Sequence, residues 1–286
     1  MFRRQSSGSV VCPSCGRLVG VRDEACFNCG QRNPALWGFA PALRRLGNDL
    51  GFVKLLIGGS AALYLAALLL DPAGVRLGGS PFTFLAPSVP SQFLLGASGA
   101  VPVFQYGRWW TLLSAGWLHG GLLHILFNML WVRQLAPAAA ELYGAGRMVI
   151  IYTVASVTGF LASSAGGFFL PFMPGFLQGA GFTVGASAAI FGLLGSLVWY
   201  SRRTGSSAMG QQVWSWALVM FVFGFLSPGV DNYAHAGGFV GGWLVSRLLD
   251  PLTPERPAHV LAAIGCLLAT VAAVAVSIVH GFSFVR

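Results

Sequence analysis

The sequence predicts an all-α polytopic membrane protein preceded by a small cysteine-bearing module, and three observations carry that prediction. Charged residues are 9% of the 286-residue chain, where a soluble domain has about 25%. Seven apolar segments of membrane-spanning length follow one another along it. Ahead of them, a polar N-terminus holds two Cys-x-x-Cys pairs.

The apolar segments are read at about 52–70, 112–132, 147–166, 183–200, 212–228, 232–249 and 259–281. Each approaches the ~20 helical residues that cross a ~30 Å hydrocarbon core. The fifth and sixth are short and meet at Ser227-Pro228-Gly229, a turn signal. No secretory signal is read before them, because the first apolar stretch begins near Phe52.

Charge sets the orientation. The net charge is +9, which raises the question of nucleic acid. With the N-terminus cytoplasmic, however, fourteen of the seventeen Lys and Arg fall on one side: Arg3, Arg4, Arg17, Arg22, Arg32, Arg44, Arg45, Lys54, Arg133, Arg147, Arg202, Arg203, Arg247 and Arg256. Only Arg76, Arg108 and Arg286 fall on the other. This is the bias of a membrane protein and not a nucleic-acid patch. An odd number of spans then puts the C-terminus outside. The expected setting is a bacterial inner membrane.

The connection from Asp71 to about Thr111 is long and mostly apolar or small. Its Leu, Phe and Trp residues predict a loop lying in the outer interface, with short helices, since too little of it is polar for a disordered linker.

The orientation also gathers the polar residues. The second, fourth and sixth spans all run from outside to inside. His119 and His124 fall in the first turns of the second, Ser187 about five residues into the fourth, and His235 about four into the sixth. At 1.5 Å per residue they share one leaflet, ~5–15 Å below the helix ends. His124 and Asn128, four apart, share a helix face. Polar side chains in apolar spans are functional candidates. A serine, a histidine base and two donors are what acyl transfer needs. Gly185, Gly192 and Gly195 on the fourth span, and Gly237, Gly238, Gly241 and Gly242 after His235, let the helices approach closely. Their role is packing. Taken singly, Ser187 reads equally as a packing serine bonded to its own helix, and Asn128 as interhelical glue. No role is read for His259 or His280, and Cys266 reads as a packing residue.

Three elements, in order and on the right spans, resemble the rhomboid family of intramembrane serine proteases: His119-x4-His124-x3-Asn128, Gly185-Ala186-Ser187-x4-Gly192, and Ala234-His235-x2-Gly238-x3-Gly242. The resemblance covers about residues 51–250. It implies a six-helix bundle, with the seventh segment a C-terminal addition found in a subset of the family. It also implies roles. Ser187 is the nucleophile and His235 the general base, as a dyad without a third acid. His124, Asn128 and the backbone N–H of Ser187 form the oxyanion hole. His119 lines the water-filled entrance, and Phe191 takes the place of an aromatic, often Tyr, that stacks on the catalytic histidine. The reaction needs no catalytic cofactor, and the substrates are transmembrane proteins in the bilayer.

The chain departs from the family pattern in places. Family members often carry Arg after the Trp pair in the first loop, whereas here Arg108 precedes Trp109-Trp110. The position after the serine, often Gly, is Ala188. Glu141 resembles a structural Glu following the second helix. The bulky fifth span, with Trp214, Trp216, Phe221, Phe223 and Phe225, is the candidate lateral gate.

Cys12-Pro13-Ser14-Cys15 and Cys26-Phe27-Asn28-Cys29 resemble a small zinc ribbon. Four thiolates suit tetrahedral Zn²⁺. Paired disulfides are the other reading, and a cytosolic placement argues against them. The zinc would be structural. The module's arginines are suited to anionic headgroups or a protein partner, and less to nucleic acid. The expected division is a module at 1–34, a linker at 35–51, a protease core at 52–250 and the seventh helix at 251–286.

Two other functions compete with an active protease. One is a non-catalytic rhomboid-like protein that binds membrane clients; such proteins lose the serine or histidine, and this chain keeps both. The other is a transporter or channel, which would carry charges or broken helices in mid-membrane; few are present.

Overall fold

The computed structural model describes residues 4–41, 47–78, 83–174, 178–227 and 229–282. Arg3, Arg44, Arg45, Pro228 and Arg286, used above in the charge and turn arguments, lie outside the described residues.

The N-terminal module pairs β1 (Ser9–Val11) antiparallel to β2 (Leu18–Gly20), with Val10 opposite Val19. Among the described residues, seven long helices follow. They are α1 (Phe52–Leu70), α4 (Leu122–Tyr143), α5 (Ala145–Phe169), α6 (Ser187–Thr204), α7 (Ser207–Leu226), α8 (Asn232–Leu248) and α9 (Pro257–Phe282). Two short helices, α2 (Val89–Leu95) and α3 (Thr111–Ser114), belong to the long first loop.

This is an integral membrane protein, and its helices divide into two kinds. By length and apolarity α1, α5, α7 and most of α9 are able to cross a bilayer unaided. The other three, α4, α6 and α8, carry the polar candidates. α6 is the centre of the bundle, and every residue from Ala188 to Val198 is buried. A helix enclosed by neighbours need not be uniformly apolar, because its polar groups face protein.

Glycines set the approach of α6 to α8. A Cβ placed on Gly242 would meet the backbone of Gly192, and one on Gly195 would meet the Phe239 carbonyl and lie 3.1 Å from Trp243 N. One on Gly192 would meet Ala155 of α5. Backbones this close gain dispersion contacts along their whole length.

Two spans begin later than the apolar runs predict. The second starts at Leu122, not near 112, because Leu112–Leu118 belongs to α3 and a following turn ending in the extended Leu118. The Gly120-Gly121 pair then breaks the chain before α4, where Gly121 is fully extended. The fourth starts at Ser187, not near 183, because Thr183 pairs with Ser98 as an isolated bridge and Gly185 takes φ +134°. That left-handed φ favours glycine.

At the end opposite the site, the buried Arg147 staples α5 to the segment before α9. Its guanidinium donates to the carbonyls of Asp250, Thr253 and Pro254 at 2.7–2.9 Å and to His259 Nδ1 at 3.1 Å. Its backbone N–H donates to Glu255 at 2.9 Å. Burial pushes the Glu255 carboxyl up, against the pull of the N–H groups at the start of α5. His259, given no role above, is thus part of this staple. Glu141, expected to be structural, is exposed.

Candidate active site

Ser187 is the first residue of α6, so its backbone N–H has no intrahelical carbonyl to bond. His235 lies in the first turn of α8 and is 6% exposed. The two helix starts are locked together one turn further on, where a Cβ on Gly238 would meet the Ala188 carbonyl group. The Phe191 ring lies flat on the His235 imidazole, with centroids 4.2 Å apart and 17° between planes. Among the described residues no hydrogen bond joins Ser187 to His235, and His235 Nδ1 is buried without a partner. Serine–base contacts often tighten only when substrate binds.

His124 is the best-defined donor. The Gly120 N–H donates to its Nδ1 at 3.1 Å. A nitrogen that accepts carries no proton, so in the neutral ring the proton is on Nε2. That Nε2 faces the nucleophile turn. A Cβ on Gly185 would lie 2.7 Å from it and 3.8 Å from Ser187 Oγ. Any side chain at 185 would displace the imidazole. Asn128, one turn along α4, donates to the His124 carbonyl at 2.7 Å. Its Oδ1 is buried without a partner.

His119 is not in a helix but in the bend before α4, and at 1% exposed it is enclosed instead of lying at an open rim. Its ring packs edge-on to His124 at 5.3 Å.

The structure adds residues that sequence reasoning missed. Asp231 caps α8 by accepting from the Ala234 N–H at 3.0 Å. Its other oxygen accepts from Ser163 Oγ of α5 at 2.5 Å, and that hydroxyl accepts from the Ala180 N–H at 3.1 Å. One carboxylate therefore ties the His235 helix to the segment leading into Ser187. An acidic residue just before an apolar run is a readable cap signal; its partner Ser163, on a distant span, is not readable in this way.

The Rhomboid domain family matches residues 106–251, just over half of the chain and spanning all of these groups. The chain belongs to the rhomboid family. Curated rhomboids similar to it include the Rhomboid protease GluP of Bacillus subtilis (strain 168), 34% identical over 146 residues, which are 50% of this chain and 26% of GluP. RHOMBOID-like protein 5 of Arabidopsis thaliana is 34% identical over 191 residues, 64% of this chain and 58% of that protein. The Inactive rhomboid protein 1 of Rattus norvegicus is 32% identical over 174 residues, 59% of this chain and 17% of that protein. The chain thus spans less than two thirds of the length of each.

This rhomboid carries a second candidate site in its N-terminal module. The sulfurs of Cys12, Cys15, Cys26 and Cys29 all lie within 4.8 Å of one another. Cys12 and Cys29 are 3.7 Å apart, and Cys15 and Cys26 3.6 Å. Four sulfurs about 2.3 Å from a tetrahedral zinc would be roughly 3.8 Å apart, whereas a disulfide needs about 2.05 Å. The donors therefore fit zinc and not paired disulfides. The two knuckles are built alike. Gly16 donates to the Cys12 carbonyl and Gly30 to the Cys26 carbonyl, both glycines at positive φ. Burial pushes the Cys12 thiol up to about 12, while a backbone hydrogen bond at Arg17 draws Cys15 down to about 6.

Proposed function

We propose that this rhomboid is an intramembrane serine endopeptidase that hydrolyses peptide bonds in or near the transmembrane segments of other membrane proteins. The observation that carries this reading is the pairing of Ser187 with a donor already aimed: His124 Nε2 faces the turn that presents the hydroxyl.

Ser187 Oγ attacks the scissile carbonyl carbon while its proton passes to the His235 imidazole. The new oxyanion is met by His124 Nε2–H, the Asn128 amide and the Ser187 N–H. Donors fixed in advance in a low-dielectric site are worth most here, typically ~10²–10³ in rate apiece. Collapse breaks the C–N bond, and His235 returns the proton to the leaving amine. Water, deprotonated by the same imidazole, then cleaves the acyl-enzyme ester. Phe191 holds the ring plane through both steps, and the partnerless His235 Nδ1 fits a dyad without a third acid.

The same reading keeps the N-terminus cytoplasmic, in a bacterial inner membrane, with the site near the outer surface. Zn²⁺ is held by Cys12, Cys15, Cys26 and Cys29 as a structural ion, and the module is free to meet headgroups or a protein partner.

A non-catalytic, client-binding function is the second reading. Two observations favour it: an inactive rhomboid is among the relatives, and Ser187 and His235 are not hydrogen-bonded here. Cleavage of a single-span substrate in reconstituted membranes separates the two. Ser187→Ala and His235→Ala are each expected to lower turnover by at least about 10³-fold with folding intact. Unchanged turnover in either variant refutes the dyad.

A further inference from the structure

The strongest unexplained feature outside the dyad is Arg108. It is fully buried in the first loop, and among the described residues no carboxylate pairs with it. A buried cation without a counter-charge is costly unless its donors are satisfied. Here two of the three nitrogens are satisfied: Nη1 donates to the Phe93 carbonyl at 2.8 Å and Nη2 to the Ser277 carbonyl at 3.1 Å, while Nε is buried without a partner among the described residues and the guanidinium lies 4.0 Å from the Phe93 ring centroid. Phe93 belongs to α2, in the first loop, and Ser277 to α9, outside the family-matched residues.

The bridge is reinforced on both sides. Trp110 Nε1 donates to Ser277 Oγ at 2.9 Å, and its ring packs edge-on to His280 at 5.2 Å. Gly96, at φ +104°, ends α2 so tightly that a Cβ there would lie 2.6 Å from Ser277 Oγ. A Cβ on Gly281 would lie 2.6 Å from Leu94.

From α2 the chain runs straight to the nucleophile turn. Ser98 and Thr183 exchange both backbone hydrogen bonds, at 2.8 and 3.1 Å. Ala100 donates to Ala180 and Val101 to Gly181, at 2.9 and 3.1 Å. Thr111 Oγ1 contacts Ser98 Oγ at 3.3 Å and donates to the Arg108 carbonyl at 2.7 Å. Gly185 N–H, two residues before Ser187, donates to Ala115 at 3.0 Å. An unbroken series of hydrogen bonds and chain therefore links the seventh helix to the nucleophile.

We propose that Arg108 is a positioning residue and that α9 is its anchor: the seventh helix, through Ser277, braces the first loop, and the first loop holds the 180–186 segment that presents Ser187. The kinetic arm of the test rests on the protease reading; the structural arm does not. A lysine places one point charge where arginine's fork reaches two carbonyls, so Lys is not an equivalent.

The test uses the full chain in lipid nanodiscs. Amide exchange is measured for peptides covering 98–101 and 180–186 in wild type, Arg108→Gln, Arg108→Lys and Ser277→Val. Arg108→Gln is expected to speed exchange in both segments by about tenfold or more, with α5 and α6 protection unchanged, and Arg108→Lys to recover part of the loss. Ser277→Val, which removes the acceptor for Trp110 and adds bulk against Gly96, is expected to act in the same direction if Arg108→Gln does not fold. In cleavage assays the same variants are expected to lower kcat by about tenfold with KM little changed, as a misplaced nucleophile does. Unchanged exchange at 180–186 in a folded variant overturns the proposal, as does faster exchange with unchanged kcat. A wild type that cleaves nothing overturns the protease reading and leaves the exchange result to decide this one.

Discussion

Gly238→Ala is expected to cut turnover by about 10²-fold, the scale of loss that a displacement of about 1 Å produces. The added methyl has nowhere to go. It would meet the carbonyl oxygen of Ala188, with Ala188 C at 2.8 Å and Cα at 3.0 Å. These are backbone atoms of α6, which cannot rotate aside, so α6 and α8 must separate. Their separation acts directly on the site, because Ala188 follows Ser187 and His235 lies one turn before Gly238. The same overpacking is expected to lower stability by about 1–3 kcal/mol. Gly265→Ala is the matched control: nothing lies within 4 Å of a Cβ there, and exchanging a mid-helix glycine for alanine is neutral to slightly favourable. Turnover and thermal unfolding of the two variants check this. Wild-type turnover in Gly238→Ala would mean that the site does not depend on the α6–α8 contact.

Zinc removal is the second large effect. Among the described residues the module's buried apolar cluster is Val10, Cys12, Val19, Val21 and Cys26, joined by Ala35 at the start of the expected linker, and two of these are proposed ligands. A hairpin of two three-residue strands on so small a core is not stable alone. Binding free energies of roughly 10–16 kcal/mol for zinc at such sites act as folding free energy. The purified protein is expected to carry one zinc per chain. Chelation, or Cys12→Ser, is expected to abolish protease resistance of residues 4–38 while the helices stay folded. Removing residues 1–45 is likewise expected to leave the core folded and active. A module that keeps its resistance without metal would contradict this, and a well-folded but inactive truncated protein would contradict the independence of the core.

The sequence showed the architecture best where each helix meets lipid. α1 and α9 were legible almost to the residue, because a helix facing hydrocarbon must be apolar throughout its length. The starts of α4 and α6 were misplaced for the same reason in reverse. Leu112–Leu118 is apolar because the first loop is itself buried, and hydropathy cannot tell a buried loop from a span. Ser187, Phe191, His235, His124 and Asn128 were legible as motifs. What fixes them was not. Arg108, Asp231 with Ser163, and Arg147 with His259 owe their importance to partners 68–169 positions away. Arg108 in particular reads as an ordinary outer-side charge until Ser277 is placed beside it.

In the proposed reaction His235 activates Ser187 as a nucleophile, and covalent labelling reads that activation out. Wild type in native-like bilayers is treated with a serine-directed phosphonate and the modified residue is mapped by mass spectrometry. An adduct is expected on Ser187, lost in His235→Ala while the fold is retained. A folded wild type that carries no adduct on Ser187, or equal labelling of Ser187 without His235, would contradict it.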